Sequence, residues 1–545
     1  MIKTFTILIM LFVCLFLTAQ EKVTTNQWQK DLLFLQNTVH KNYNFLFVKI
    51  DKEAFDSEVE KLYNEIPNLR EHEIVVGMSK IVSLFKYGHT GIFLEGRSSF
   101  HHLPFNLYEF TDGVFIQGTT KKYKKALGAK VLKVNNMTIE HALEKIQPVV
   151  NSENSQYFKA YGINHLVILE VLHAQKITKE LQSSVTLTLE KDGKTFTQTF
   201  ESLPKGKSVP TKYGFVSDNE EWLGARDESK TPLFLKNLDK VYFYEYLPKE
   251  KAVYVRHSRI ANDKTEDTET FYNRVFDFIE KNQVEKLVLD VRLNGGGNNY
   301  LNKPIITNII KSEKINKIGS LYVIIGRRTF SASQNLVNEI DNYTNALFVG
   351  EPTAENINFW GDTNTVILPN SKIKAYLSYA WWQDKPAWEN ADWTAPQIPV
   401  GISSTEYITN QDPILTAALN FSGENFKPNP MDYIRKLFME GNMQKLAMET
   451  SKMVKDPRYK FFNFEEELSK SGKRFLEINP QTAVQILSFV SQLFPKSPSA
   501  IKNLAEGYLK MGDKVKASEL LNKVIAMDKG GQNGKNAKDL LESIN

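Results

Sequence analysis

The sequence predicts a multidomain α/β protein: a helical N-terminal cap, a strand-rich segment, an α/β core and a tail of helical repeats. Three observations predict it. Apolar residues recur at three- and four-residue intervals between Thr25 and Phe85, strands alternate with helices between about Lys240 and Leu419, and past Phe421 a helical pattern repeats every 34 residues. At 545 residues the chain exceeds one hydrophobic core. Lys+Arg at 68 against Asp+Glu at 63 leave a charge of only +5 with no basic tract, which argues against a nucleic-acid partner. A hydrophobic share of 42% with 28 Gly and 20 Pro excludes disordered, collagen-like and low-complexity chains.

Residues 1–20 read as a signal peptide. The apolar run from Ile7 to Leu17 follows Lys3 and precedes Thr18-Ala19-Gln20, and it is shorter than the ~18 residues a membrane span needs. It holds the single cysteine, Cys14. A lipid anchor on Cys14 is disfavoured by the bulky Phe12 and Val13 before it. Cleavage near Gln20 leaves no cysteine, which excludes disulfides, thiolate catalysis and cysteine zinc sites, and places the mature chain outside the cytoplasm, in the periplasm or secreted. No later segment reads as a membrane helix.

Residues 21–100 form the helical cap. Trp28, Leu32, Leu33, Leu35 and Val39, then Phe55, Val59 and Leu62, then Ile74, Val75, Met78, Ile81 and Leu84 keep helical spacing. The pattern breaks at Tyr87-Gly88-His89-Thr90-Gly91, so His89 sits where helix gives way to strand.

Residues 101–205 are mostly strand. Gly113 to Ile116, Lys130 to Asn136, Val185 to Leu189 and Thr195 to Phe200 alternate, and Lys191-Asp192-Gly193-Lys194 closes the last two into a hairpin. Thr138 is placed to cap a helix over the following residues. The arrangement resembles a PDZ-like domain with a helical insertion at about Ser155 to Lys179; a generic α+β domain is the plainer reading.

Residues 206–421 carry the α/β pattern. Ala252 to Val255, Leu287 to Val291, Leu321 to Ile325 and Ala346 to Val349 read as buried strands, with helices at Thr268 to Lys281 and Ser333 to Asn342. Chemistry in such a sheet gathers at the carboxyl ends of its strands. In residues 422–545, Ala483, Leu487 and Val490 recur 34 positions later as Ala517, Leu521 and Val524. This period resembles tetratricopeptide repeats, which bury their faces only against neighbours and should dock on the α/β core or on a protein partner.

Nine histidines contain no His-Glu-x-x-His pair, and no metal is indicated. Asn294-Gly295-Gly296-Gly297-Asn298 lacks the ending of a P-loop and the spacing of a dinucleotide site, so no organic cofactor is indicated either. Two strand-end turns stand out. In Asp290-Val291-Arg292-Leu293-Asn294-Gly295-Gly296-Gly297 a strand runs into glycines whose N–H groups are open to a developing oxyanion, although a tight turn alone also explains them. In Gly326-Arg327-Arg328-Thr329-Phe330-Ser331-Ala332-Ser333 a serine stands where strand turns into helix, as nucleophile or as N-cap.

Together with Val349-Gly350-Glu351-Pro352-Thr353, Gly88-His89-Thr90 and Asn410-Gln411-Asp412-Pro413, these turns resemble the tail-specific (carboxy-terminal processing) and tricorn-core-like serine peptidases. The resemblance runs from about residue 25 to 420 and implies a crotonase-like ββα core. It implies Ser331 as nucleophile, with Ser333 as helix cap, and an oxyanion hole from Ala332 and either Gly295 or Gly296. Processing peptidases keep a lysine base where this chain has Asn356. The tricorn-like branch instead uses a histidine, which implies His89, oriented by a carboxylate for which Glu389 is the first candidate and Asp392 the second. The aromatics Phe359, Trp360, Tyr379, Trp381, Trp382, Trp388 and Trp393 include candidates for an apolar substrate pocket.

The implied function is a serine endopeptidase acting on extended polypeptides through an acyl-enzyme, without metal or organic cofactor, with substrate received by its carboxyl terminus on the PDZ-like domain. The alternatives are an inactive peptide-binding protein of the same fold and a scaffold acting through its repeats.

Overall fold

The computed structural model describes residues 22–544 apart from 422, 424 and 425; the signal-peptide run and Cys14 lie outside the described residues. The chain is a mixed α/β molecule of several sheets and helical layers.

The first helices are α1 (Thr25–Asn42), α2 (Lys52–Glu65) and α3 (Glu71–Ser83). Thr24 and Gln27 form a capping box at the start of α1, satisfying donors the helix leaves free. Trp28, Leu32, Leu35 and Val39 face inward, as their spacing predicts, whereas Leu33, one position off that stripe, is exposed.

The first sheet has the order β1 (Phe105–Phe110), β2 (Gly113–Thr120), β3 (Lys130–Val134), β5 (Ser184–Lys191), β6 (Lys194–Glu201), with β4 (Met137–Thr138) beside β3 and β7 (Trp222–Gly224) beside β2. The β5–β6 hairpin turns at Asp192 (φ 52°) and Gly193 (φ 70°), the left-handed pair a two-residue turn requires. Thr138 caps α4 (Ile139–Ile146) by accepting from the His141 N–H. Short helical turns follow, among them α5 (Ser155–Tyr157) and α6 (Leu169–Ala174). One continuous apolar core joins α1–α3, this sheet and the four residues Leu368, Ile373, Ala375 and Leu377 from further along the chain.

The second sheet has the order β15 (Ile398–Pro399), β12 (Leu347–Gly350), β11 (Leu321–Ile325), β10 (Lys286–Asp290), β9 (Ala252–His257), β8 (Tyr242–Leu247). Its neighbours pair in parallel except β8 with β9. Strands buried on both faces read as unbroken apolar runs, which is why β10 and β11 were visible in the sequence. Helices α7 (Thr268–Lys281), α8 (Lys303–Lys311) and α9 (Ala332–Tyr343) cover one face. The other face packs on α11 (Pro413–Asn420) and on a helical core that runs from α12 (Pro430–Met439) to α16 (Pro498–Lys510), while α10 (Ser404–Ile408) joins a small cluster with Phe110 and Phe215, and the last helices, to α18 (Gln532–Glu542), pack on α16. Among these, α15 (Pro480–Leu493) buries Ala483, Leu487 and Val490, and α17 (Lys514–Met527) buries their 34-residue counterparts. A separate hairpin, β13 (Asn358–Ile367) with β14 (Lys374–Gln383), reaches from the α/β layer back to the N-terminal core.

The end of β10 is fixed electrostatically. Arg292 donates two hydrogen bonds to Asp412 at 2.9 and 3.0 Å and one to Asp290 at 3.0 Å. The Asp412 end of this bridge is also the N-cap of α11, accepting from Leu415 N–H at 3.0 Å. The glycine turn therefore leaves β10 from a rigid base.

Candidate active site

Ser331 ends the turn after β11 and stands at the N-cap of α9 with φ 57° and ψ −130°, a conformation rare for a side-chain-bearing residue. Its hydroxyl makes no cap hydrogen bond, so the helix does not consume it. Instead Ser331 Oγ lies 3.0 Å from His89 Nε2, across 242 positions of sequence.

His89 is held from every side. Its ring stacks on Phe330 at 4.5 Å between centroids and lies parallel to Phe359 at 6.0 Å. Thr90 donates to Ser378 Oγ at 2.9 Å, and Gly91 exchanges backbone hydrogen bonds of 2.9 Å with Tyr376, tying this loop to β14. Asn151 and Tyr157 both donate to the Gly88 carbonyl, at 2.6 and 3.0 Å. A Cβ on Gly88 would stand 2.6 Å from the Tyr157 ring and 2.7 Å from that of Phe330, so close packing demands glycine there.

The carboxylate beside His89 is Glu355. Its Oε1 lies 3.1 Å from His89 Nδ1, and its Oε2 accepts a short hydrogen bond from the Ser331 N–H. The Nδ1–Oε1 approach is off the line of a hydrogen bond, and neither atom has another partner among the described residues. Glu355 is wholly buried and the His89 side chain is 17% exposed, enough for a substrate to reach it.

The structure corrects several expectations. Glu389 is exposed in a turn, its N–H bonded to the Pro386 carbonyl at 2.9 Å, and Asp392 is exposed as well; neither is the carboxylate at His89. The acid that is there stands one residue before Asn356, inside a stretch otherwise free of charge. Asn356 turns its N–H to Glu153 at 3.0 Å. Ser333 is not the cap of α9: it is buried within the first turn and its Oγ has no partner among the described residues. Of the two glycines, Gly296 already gives its N–H to Asn294 Oδ1 at 2.9 Å, whereas Gly295 is exposed and its N–H has no acceptor among the described residues. Ala332 opens α9, where a first-turn N–H has no partner within the helix. The available donors are thus those of Gly295 and Ala332. Gly296 is needed for space: at φ 97° it presses on Ser331 and Ala332. The aromatics do not form one pocket. Phe359 packs on His89, Trp360 stacks on Phe45 at 4.4 Å, Trp393 approaches Phe461, and Trp388 is 81% exposed.

Burial lowers the pKa of His89, keeping the imidazole neutral and able to accept a proton. Burial also pushes Glu355 well above the ordinary carboxylate range, opposed by the Ser331 N–H. Glu153, whose carboxyl accepts from Gly88 N–H at 2.8 Å, is raised to about 8 by burial and by the charge of Glu355.

Two cavities share a wall at Tyr161, and neither is lined by Ser331, His89 or the glycine turn. One of about 530 Å³ is lined by His102, Asn106, Tyr161, Tyr213 and Arg328, and one of about 290 Å³ by Ile92, Val150, Tyr157, Tyr161 and His165. The Tyr161 hydroxyl stands 3.6 Å from where Gly295 would carry a Cβ. Among the described residues two groups bring metal-ligating atoms within 4.8 Å of one another: His89, Glu153 and Glu355, and His72, Glu73 and His173. In the second, His72 and His173 hydrogen-bond each other at 2.9 Å, and Lys176 engages Glu73 at 3.0 Å.

No protein-family model matches the chain, and no curated protein does. Solved structures do. A mutant of CPAF superposes with a TM-score of 0.51 at 10% identity, covering 73% of this chain and 98% of that one. The photosystem II D1 C-terminal processing protease matches at 14% identity over 68% and 93% of the two chains with a TM-score of 0.31. Tricorn protease matches at 10% identity over 73% of this chain and 36% of its own, with a TM-score of 0.33. The likeness to CPAF shows a shared fold, in keeping with the resemblance of the motifs to the tail-specific serine peptidases.

Proposed function

We propose that the protein is a serine endopeptidase working through an acyl-enzyme on Ser331. The observation that carries this is the Ser331 Oγ–His89 Nε2 distance of 3.0 Å, with Glu355 at 3.1 Å on the other ring nitrogen. Ser331 Oγ attacks the peptide carbonyl carbon while its proton passes to His89 Nε2. The carbonyl oxygen, now carrying the charge, accepts from the N–H groups of Ala332 and Gly295. As the intermediate collapses, the C–N bond breaks and His89 gives its proton to the departing amine. Water then attacks the ester, loses a proton to His89 and releases the acid, and that proton returns to Ser331. Glu355 faces the imidazolium that forms in both halves.

The substrate is an extended polypeptide lying along the two cavities that share Tyr161. The first sheet serves as a PDZ-like receiver that adds the chain's carboxyl-terminal segment as a strand. The protein acts outside the cytoplasm once residues 1–20 are removed; the apolar run at residues 7–17 supports this, and no described helix is long and apolar enough to cross a membrane.

The test is labelling with a fluorophosphonate. The expected result is modification of Ser331 that vanishes in Ser331→Ala and falls steeply in His89→Ala. Folded wild-type protein that neither labels nor cleaves an unfolded test polypeptide overturns the proposal in favour of an inactive peptide binder.

A further inference from the structure

Glu153 is a buried acid that the reaction scheme above does not use. It lies in the loop before α5, 65 residues from Gly88 and 203 from Asn356, and it touches both: Oε1 accepts from Gly88 N–H at 2.8 Å and Oε2 from Asn356 N–H at 3.0 Å. Gly88 immediately precedes His89, and Asn356 immediately follows Glu355. One carboxyl thus bonds the backbone next to the base and the backbone next to its acid. One of its oxygens, one oxygen of Glu355 and a ring nitrogen of His89 all lie within 4.8 Å of one another.

Two carboxyls so close in a dry site cannot both ionise at neutral pH. Burial raises both carboxyls, and the pair holds one proton between them. Each Glu153 oxygen still accepts its backbone bond, since a protonated carboxyl keeps free lone pairs.

We propose that Glu153 is a positioning residue of the active site: a carboxyl that clamps the loops of His89 and Glu355 together and shares one proton with Glu355, so that the buried acid pair holds a single negative charge behind the imidazole. This rests on the hydrolytic reading above. With one charge, the pair steadies the imidazolium while it forms; with two, it would hold His89 protonated and unable to accept from Ser331. The groups facing Glu153 are Glu355, Lys49, Tyr87, Tyr157 and His89; Asp362 also faces His89, and Lys86 and Asp392 face Lys49. Among them Lys49 is the cation that favours loss of the shared proton.

The experiment follows the rate of fluorophosphonate labelling of full-length protein from about pH 5 to about pH 10. Wild type should rise through an acid limb and show a second inflection near the value of about 8 at which Glu153 titrates. Glu153→Gln cannot ionise and keeps one acceptor oxygen; it should lose that inflection, and its plateau should fall about 10- to 100-fold. Lys49→Met should move the inflection to higher pH. Glu153→Gln with the wild-type plateau and profile overturns the proposal. If Glu153→Gln fails to fold, Lys49→Met decides, and an inflection it leaves unmoved overturns the proposal. Folded wild type that never labels overturns the hydrolytic reading instead, so the two failures are distinguishable.

Discussion

Substituting Gly296 by alanine tests the geometry of the glycine turn without touching a reacting group. The residue has φ 97°, and an added Cβ would stand 2.6 Å from Ser331 Cβ, 2.8 Å from Ala332 N and 2.8 Å from the Phe330 carbonyl oxygen. Forcing alanine into that backbone region costs about 1–2 kcal/mol. Overpacking adds about 1–3 kcal/mol, because two of the three close atoms are backbone and cannot swing aside. Contacts of this kind relax to about 3.5 Å, so the turn and Ser331 must separate by roughly 1 Å. A displacement of that size at a nucleophile lowers its rate about 100-fold. The assay pairs the labelling rate of Ser331 with the thermal midpoint. Gly193→Ala is the control: at φ 70° with nothing within 4 Å of its Cβ, it should lose stability through backbone strain alone and label like wild type. Gly296→Ala that is folded and labels at the wild-type rate would refute the reasoning.

Three further outcomes are expected. Glu355→Gln should lower the labelling rate on the order of 1,000- to 10,000-fold, whereas Glu389→Gln on the exposed turn should leave it unchanged; the reverse result would restore Glu389 as the partner of His89. Because burial lowers the pKa of His89, the acid limb of the labelling profile should lie below about 6.5, the value of a free histidine, and a limb above it would contradict the burial seen here. His257 is fully buried, hydrogen-bonded to Tyr272 at 2.8 Å and lowered to about 4, so between about 6.5 and about 4 the unfolded chain binds a proton the native one refuses. Stability therefore drops as the pH is lowered through that window, by about 3 kcal/mol in all, and His257→Gln should flatten the dependence of the thermal midpoint on pH.

What the sequence revealed of the site follows a physical divide. Ser331 and the glycines stand at the ends of β10 and β11, whose apolar runs announce themselves, and His89 sits at a glycine break between helix and strand. Each is a local signal. Glu355 is masked in the sequence by its neighbour Asn356, which stands where the resemblance implies a lysine, whereas the stretch around Glu389 displays its charges openly. The usable sign was burial: Glu355 is the one charge in Thr353-Ala354-Glu355-Asn356-Ile357-Asn358, and such a charge needs partners. Glu153 had no sign at all, since its contacts join loops 65 and 203 residues away and follow from tertiary packing alone. The fold class was legible for the same reason as the strands: α1–α3, the β5–β6 hairpin and the 34-residue pairing of α15 with α17 all rest on short-range periodicity. That the β13–β14 hairpin carries residues into the N-terminal core was not legible, because no local pattern encodes which element a hairpin meets.

The residues proposed as base and nucleophile belong to stretches of chain made at different times, with residue 89 emerging long before residues 331 and 355. A polypeptide interrupted anywhere between them has a histidine with no hydroxyl to activate. A fragment that begins after the cap has a hydroxyl that nothing deprotonates. On the hydrolytic reading proposed above, competence to cut therefore waits until the chain has been made past residue 355 and has folded, so a chain still being made holds no working site.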